Sequence, residues 1–184
     1  MIHLHGLAAF LYAAMIAWAP PALHAYTGAS QEITEARYAS IAQDLADVAL
    51  DPEEEPLFAG DVGRAQTALL MLAITRYESG GWRADIDNQK PSGDCSGGKC
   101  RAACLAQLQG IYAEDLSDRK SCFRAELRAL RDSWALCSSP SWKGSDRMTG
   151  YTVGRCEEGE HGARLRFKLA TSWWKDHPFL PPVP

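Results

Sequence analysis

The chain of 184 residues is long enough for one domain and too short for two of ordinary size. Its 46% apolar and 23% charged residues are typical of a globular protein and exclude a disordered chain. The net charge of −4 is unevenly spread, because residues 26–61 hold nine acidic side chains and one basic one, which leaves 14 acidic and 18 basic side chains elsewhere. A mildly basic body suits an anionic polymer, although an ordinary solvated surface explains the same charges.

The first 25 residues differ from the rest of the chain. They contain no Asp, Glu, Lys or Arg, and residues 7–19 form a nearly unbroken apolar run that two prolines end. Ala25 then offers a small residue before a cut, so segment 1–25 has the layout of a signal peptide. A membrane anchor is the alternative, but thirteen apolar residues are short for a span. We therefore predict export to the periplasm or outside the cell, with no stable membrane insertion after cleavage.

All six cysteines lie after the predicted signal peptide, at Cys95, Cys100, Cys104, Cys122, Cys137 and Cys156. An even number of cysteines in an exported chain indicates disulfides. A zinc site is the weaker interpretation, because the cysteines lack a C-x2-C pair and no histidine cluster accompanies them. We expect disulfides, no bound metal and no cofactor.

Helical patterns dominate the sequence. Asp61 is the expected N-cap of a helix that is apolar on more than one side and therefore central to the domain. Strand signals are scarce, so the predicted fold is all-α with little or no sheet. Apolar residues at helical spacing predict helices over 34–50, 61–78, 101–109, 121–136 and 162–174.

The chain divides into four segments. The signal peptide precedes an N-terminal helix and an acidic, proline-rich loop over 26–60, which we expect to pack on the main domain. The domain itself covers 61–177. Four prolines within the last seven residues predict an extended tail over 178–184.

Glu78 lies at the last turn of the predicted central helix, which Gly80 and Gly81 end. Burial and the negative end of the helix dipole both disfavour a carboxylate there, so we expect its pKa to lie above the usual value of about 4.3. Glycoside cleavage needs such a carboxylic acid as proton donor near neutral pH. From these residues alone, the alternative is a glutamate that faces water or pairs with Arg76 or Arg83.

Three short motifs occur in a fixed order along the chain. Glu78-Ser79-Gly80 ends the central helix, Cys104-Leu105-Ala106-Gln107-Leu108 follows, and Thr149-Gly150-Tyr151-Thr152-Val153-Gly154 comes last. Over residues 62–175 they resemble the E-S-G, G-L-M-Q-L and A-Y-N-A-G motifs of soluble lytic transglycosylases, which share the lysozyme-like fold with goose-type lysozymes. The resemblance implies a lysozyme-like helical domain that cleaves the MurNAc–GlcNAc β-1,4 bond of peptidoglycan.

The resemblance also implies a role for each matching residue. Glu78 would be the general acid and then the base, while Ser79 would hold its carboxyl group or the acetamido group of the substrate. Gln107 would line the cleft beside the sugar, and Tyr151 would direct its hydroxyl at Glu78. Trp82, just after the first motif, is a candidate for stacking on a sugar ring, with a core position as the alternative.

The chain departs from the family at several motif positions. Cys104 replaces a glycine, Ala106 replaces a methionine, and the loop after Glu78 is longer than usual. A cysteine at position 104 suggests that a disulfide holds this strip of the cleft. Of the many connectivities that six cysteines allow, we prefer Cys95–Cys100, Cys104–Cys122 and Cys137–Cys156.

Two other functions stay open. A hydrolase of the same fold would need a second carboxylate, for which Asp85, Asp87 and Asp94 are candidates, whereas a transglycosylase needs one glutamate because the substrate's own acetamido group or 6-hydroxyl attacks. The other alternative is an exported glycan-binding or scaffold module without turnover. In each case the expected partner is a peptidoglycan strand, in wall remodelling or in a secretion or phage assembly, and no nucleic acid is expected.

Overall fold

The structure, a computed structural model, describes residues 4–87, 95–96, 99–100, 102–113 and 116–179. Among the described residues, the regular sheet consists of two antiparallel strands of two residues each, β1 (Cys95–Ser96) and β2 (Lys99–Cys100), with Cys95 opposite Cys100. The all-α prediction is confirmed. In chain order the helices are α1 (Leu4–Trp18), α2 (Gln31–Leu50), α3 (Gly60–Glu78), α4 (Ala84–Asp87), α5 (Arg119–Leu136), α6 (Thr149–Val153) and α7 (His161–Asp176), with 3-10 turns at Pro21–Thr27, Gly110–Tyr112 and Asp146–Met148.

Helix α3 is the centre of the core and contacts α1, α2, α5 and α7. Its residues from Ala68 to Thr75 are all buried, as its apolar sequence on several sides predicts. Helix α5, by contrast, has one buried stripe and one charged face, and it begins with a capping box between Asp118 and Ser121. The end of α3 and one face of α5 are the elements that position the site described below.

Helix α1 packs into the same core. Leu7, Leu11 and Met15 are fully buried, and α1 contacts both α2 and α3. Its end is also tied by polar contacts, since the Arg76 guanidinium donates two hydrogen bonds to the carbonyl oxygen of Trp18, at 3.1 and 2.9 Å. Among the described residues, no helix is both long and apolar enough to cross a membrane. Cleavage after Ala25 stays a prediction.

The helix predicted over 101–109 is wrong. Residues Ala103 and Leu108 instead exchange two backbone hydrogen bonds of 2.9 Å, and the chain turns between them. Cys104 and Gln107 have φ angles of 57° and 50°, which no right-handed helix allows. The apolar residues are buried as expected, but a short apolar run does not distinguish a helix from a buried turn.

The predicted cap of the central helix is also wrong. Helix α3 begins at Gly60 with Ala59 as its N-cap, and no side chain caps it. Thr67 fixes this start instead, because its hydroxyl donates to the carbonyl of Gly63 and accepts from the backbone N–H of Phe58. Asp61 lies within the first turn, where the helix dipole favours a negative charge.

Two of the predicted disulfides are confirmed. Cys104–Cys122 fastens the turn of residues 103–108 to α5, and Cys137–Cys156 joins the end of α5 to the loop after α6. For the third pair, the backbones of Cys95 and Cys100 lie opposite each other, while their side chains fall outside the described part of the structure. Disulfides persist in oxidising compartments, so the two bridges indicate an environment outside the cytoplasm.

Candidate active site

A pocket of about 520 Å³ opens between the end of α3, the turn of residues 103–108, α5 and α6. This volume lies within the range of small-molecule binding sites. The pocket brings together three residues that the sequence motifs singled out, although they are far apart in the chain. The polar side chains that line it are Glu78, Gln107, Gln109, Tyr112, Asp132, Ser133, Tyr151 and Thr152.

Glu78 reaches the pocket because it is the last residue of α3. The helix stops there because Gly80 and Gly81 take φ angles of 62° and 85°, a conformation that glycine adopts without strain. The side chain of Glu78 is 22% exposed, so it is largely withdrawn from water yet still open to the pocket. The sequence therefore places a carboxyl group on the rim of a cleft through a rigid, buried helix.

The partner of Glu78 is Arg166, on the inner face of α7. The Nε and Nη2 atoms of Arg166 donate to the same oxygen, Oε1 of Glu78, at 3.1 and 2.6 Å. The guanidinium also lies over the ring of Tyr77, 5.3 Å from its centroid. The structure therefore places beside Glu78 a guanidinium that the sequence did not indicate. Neither Arg76 nor Arg83 has this role.

Ser79 and Trp82 do not reach the substrate side of the pocket, which corrects both expectations. Both are fully buried. The hydroxyl of Ser79 donates to the carbonyl of Thr75 at 2.6 Å and accepts from the backbone N–H of Trp82 at 2.8 Å. The indole N–H of Trp82 donates to the Thr75 hydroxyl at 3.0 Å. These two residues stabilise the turn that ends α3 and so position Glu78, and the buried indole has no free face for a sugar.

Gln107 and Tyr151 line the pocket, but each hydrogen-bonds to the turn of residues 103–108. The side-chain amide of Gln107 donates to the carbonyl of Cys104 at 2.8 Å. The Tyr151 hydroxyl donates to the carbonyl of Ala106 at 2.7 Å, which corrects the expectation that it points at Glu78. Burial raises the pKa of Tyr151 well above its usual value, so the hydroxyl keeps its proton and the hydrogen bond to Ala106.

The predicted alternatives for a second carboxylate lie elsewhere. Asp85 is exposed and bonded to Arg83, whose hydrogen bond lowers the pKa of Asp85 despite some desolvation. Asp87 is buried and paired with Arg119 at 2.7 Å. Neither belongs to the lining of the pocket that holds Glu78. Asp94 lies outside the described residues.

Asp132 is a pocket carboxylate that the sequence did not reveal. It lies on α5 and lines the same pocket as Glu78. The hydroxyl of Tyr112 donates to its Oδ2 atom at 2.7 Å. In the sequence, Asp132 falls on the polar side of an amphipathic helix, where an acidic residue is ordinary, so no local signal distinguishes it.

Glu126 is the second unexpected acid. It lies on the face of α5 that carries Cys122 before it and the pocket residues Ala129 and Ser133 after it, and its side chain is fully buried. Within the described part of the chain, neither carboxyl oxygen has a hydrogen-bond partner. Desolvation, and to a lesser degree the charge of Glu78, raise the pKa of Glu126 well above its usual value. Burial therefore favours the protonated form of this side chain, which lies on the same helix face as the pocket residues Ala129 and Ser133.

No family identity accompanies this geometry. The chain matches no protein-family model, no curated protein and no solved structure. Among the described residues, no group of three or more His, Cys, Asp or Glu side chains is arranged to hold a metal ion. Function is therefore inferred from the residues of the pocket.

Proposed function

We propose that this protein is a lytic transglycosylase that cleaves the MurNAc–GlcNAc β-1,4 bond of peptidoglycan, with Glu78 as general acid and then base. One observation carries the proposal: Glu78, Gln107 and Tyr151 come from three separate motifs and line one pocket. Three functionally unrelated residues from distant parts of the chain would not be expected to line the same pocket. The confirmed disulfides support a secreted or periplasmic location, where the substrate lies.

The reaction needs two proton transfers, one from Glu78 and one back to it. Glu78 in its acid form donates its proton to the glycosidic oxygen as the bond to the anomeric carbon breaks. The ionised Glu78 then accepts the proton of the sugar's own 6-hydroxyl, whose oxygen attacks the anomeric carbon. The product is a 1,6-anhydro sugar, no water is consumed, and Glu78 ends the cycle protonated.

Arg166 determines how this cycle begins. In the structure two nitrogens of its guanidinium donate to Oε1 of Glu78. Within the described part of the chain, Oε2 accepts no hydrogen bond, so this oxygen is available to the substrate. A bound glycan that excludes water and weakens the contact with Arg166 would free Glu78 to act on the glycosidic oxygen.

Asp132 supports a second candidate function, hydrolysis. It supplies the second carboxylate that an inverting or retaining glycosidase needs, and it lines the same pocket. In that case Asp132 holds the attacking water or the sugar, and the product has an ordinary reducing end. The hydrogen bond from Tyr112 keeps its carboxylate oriented toward the pocket wall.

Mass spectrometry of the products from purified peptidoglycan tests both candidates. We expect 1,6-anhydro ends from the native chain, none from Glu78→Gln, and native activity from Glu158→Gln, which changes an exposed glutamate outside the pocket. Reducing ends that disappear in Asp132→Asn would instead establish the hydrolase. Glycan binding without any release of fragments by the native chain would establish a binding module and reject both enzymes.

A further inference from the structure

A second pocket lies beside the first on the other side of the Gly110–Tyr112 turn. It has a volume of about 530 Å³, and its lining includes the exposed Ile111 and three arginines of α5, namely Arg124, Arg128 and Arg131. Tyr112 belongs to the wall of the first pocket, while Ile111 belongs to the second. One 3-10 turn therefore separates the two pockets.

Four of the five basic side chains of α5 fall on one helix face, because Lys120, Arg124, Arg128 and Arg131 follow each other at helical spacing. Three of the four are neutralised by acids near the end of α2: Lys120 pairs with Asp47, Arg124 with Asp51 at 3.2 Å and Glu54 at 3.3 Å, and Arg131 with Glu54 at 3.9 Å. Arg128 differs, since no carboxylate of the described residues pairs with it. The second pocket thus contains a cation to which no described residue supplies a counter-ion.

Arg128 is nevertheless held in place. Its guanidinium lies over the ring of Tyr112, 5.6 Å from the centroid. The Tyr112 ring is itself fixed by the hydrogen bond from its hydroxyl to Asp132. A guanidinium that lies over an aromatic ring still has its N–H donors free in its own plane. Two of these donors can bind the two oxygens of a carboxylate.

We propose that Arg128 and Ile111 form a subsite for the peptide that peptidoglycan carries on its muramic acid, with Arg128 binding a free carboxylate of that peptide. This inference rests on the proposed function. The peptide branches away from the glycan strand, so a strand in the first pocket directs it across a neighbouring surface. Its carboxylates match the unpaired arginine, and its alanine methyl groups match the exposed side chain of Ile111.

Binding measurements on the full chain with Glu78→Gln, which prevents turnover, test the subsite. The ligands are a glycan tetrasaccharide with its peptides and the same tetrasaccharide after enzymatic removal of the peptides. We expect the peptide-bearing form to bind about three- to tenfold more tightly. Arg128→Ala should abolish that ratio without weakening the peptide-free form, and Arg128→Lys should retain part of it. The control is Arg164→Ala, which removes an exposed arginine of α7 outside both pockets.

A free peptide separates this inference from the proposed function. The probe is L-Ala-γ-D-Glu-L-Lys-D-Ala, compared with the same peptide carrying amidated carboxyl groups, and the readout is the NMR signal of the Arg128 Nε–H group. We expect the acidic peptide to shift this signal and the amidated one to leave it unchanged. If the strand binds but neither the peptide nor Arg128→Ala has an effect, the subsite is rejected and the function stands. If the acidic peptide binds and no glycan does, the function is rejected and the subsite stands. Equal competition by sulfate would reject a peptide-specific site.

Discussion

Arg166 and Glu78 are 88 positions apart in the chain, yet two guanidinium nitrogens of Arg166 donate to one oxygen of Glu78. This pair joins the end of α3 to α7 at the edge of the pocket. Both side chains are mostly buried, at 16% and 22% exposed. The contact therefore determines both the orientation of the proposed acid and part of the stability of the fold.

We expect Arg166→Met to lower the free energy of unfolding by about 1–3 kcal/mol, because it removes charge-assisted hydrogen bonds and leaves a carboxylate in a poorly solvated position. Glu78→Gln should have a similar cost. Chemical denaturation of both single variants and of the double variant measures the coupling between the two residues. If the two effects simply add, the pair contributes no interaction energy and the prediction fails.

Glu126 should reduce stability at neutral pH. Both of its buried oxygens lack partners among the residues that the structure describes, so Glu126→Leu should raise the free energy of unfolding by about 1–3 kcal/mol. The pKa of Glu126 is raised in the folded state, so the folded chain holds this proton more tightly than the unfolded chain does. The resulting stabilisation of the fold is fully present below the unfolded pKa of about 4.5. It is lost as the pH rises toward the folded pKa.

Urea denaturation from about pH 4 to about pH 8 measures how the free energy of unfolding depends on the titration of Glu126. The native chain should lose up to about 1.4 kcal/mol per pH unit from this group, and Glu126→Gln should flatten the curve. The control is Glu158→Gln, at an exposed position, which should leave the curve unchanged. A native curve that already lacks this slope would contradict the assignment.

The hydroxyl of Tyr151 should matter for the turn of residues 103–108 more than for the acid. Tyr151→Phe removes the donor to Ala106 and should cost about 1 kcal/mol in the free energy of unfolding. Because the hydroxyl does not contact Glu78, we expect the shape of the pH–activity profile to stay unchanged. Tyr77→Phe is the control, since its hydroxyl has no hydrogen bond among the described residues. A displaced profile in Tyr151→Phe would show that the hydroxyl does act on Glu78.

The two confirmed disulfides close loops of similar length, with sequence separations of 18 and 19 residues. Replacing either pair by alanines should therefore cost a similar amount, about 2–4 kcal/mol. Only Cys104–Cys122 is attached to the turn that carries Gln107, so its loss should also weaken glycan binding in the Glu78→Gln background. Thermal unfolding and glycan titration of the two double variants measure these effects. Equal weakening of binding in both would contradict the separate role of Cys104–Cys122.

Helix α1 should stabilise the uncleaved chain. A chain that begins at Tyr26 loses the buried side chains of Leu7, Leu11 and Met15, each worth about 1.5–3 kcal/mol when fully buried. It also exposes apolar surface on α2 and α3. We expect a lower midpoint of thermal unfolding than for the full chain, together with binding of a hydrophobic dye. Identical unfolding curves would show that α1 adds nothing to the fold.

The helices and the disulfides were accessible from the sequence because they depend on local or simple patterns. Apolar spacing predicted α2, α3, α5 and α7 to within a few residues, and the cysteine count predicted covalent bridges. The helix predicted over 101–109 failed because a buried turn and a buried helix can have the same apolar composition. The cap at Asp61 failed because a side chain inside the helix, Thr67, determines where α3 begins.

The candidate site divides in the same way. The sequence by itself determined that Glu78 ends a central helix, and a resemblance of short motifs predicted that Gln107 and Tyr151 would lie near it. Only the tertiary structure decided that Arg166 pairs with Glu78, that Ser79, Trp82 and Glu126 are buried, and that Asp132 lines the same pocket as Glu78. Helical periodicity indicates which side of each helix faces inward. The partner of a polar side chain depends instead on how distant helices pack, which no local pattern predicts.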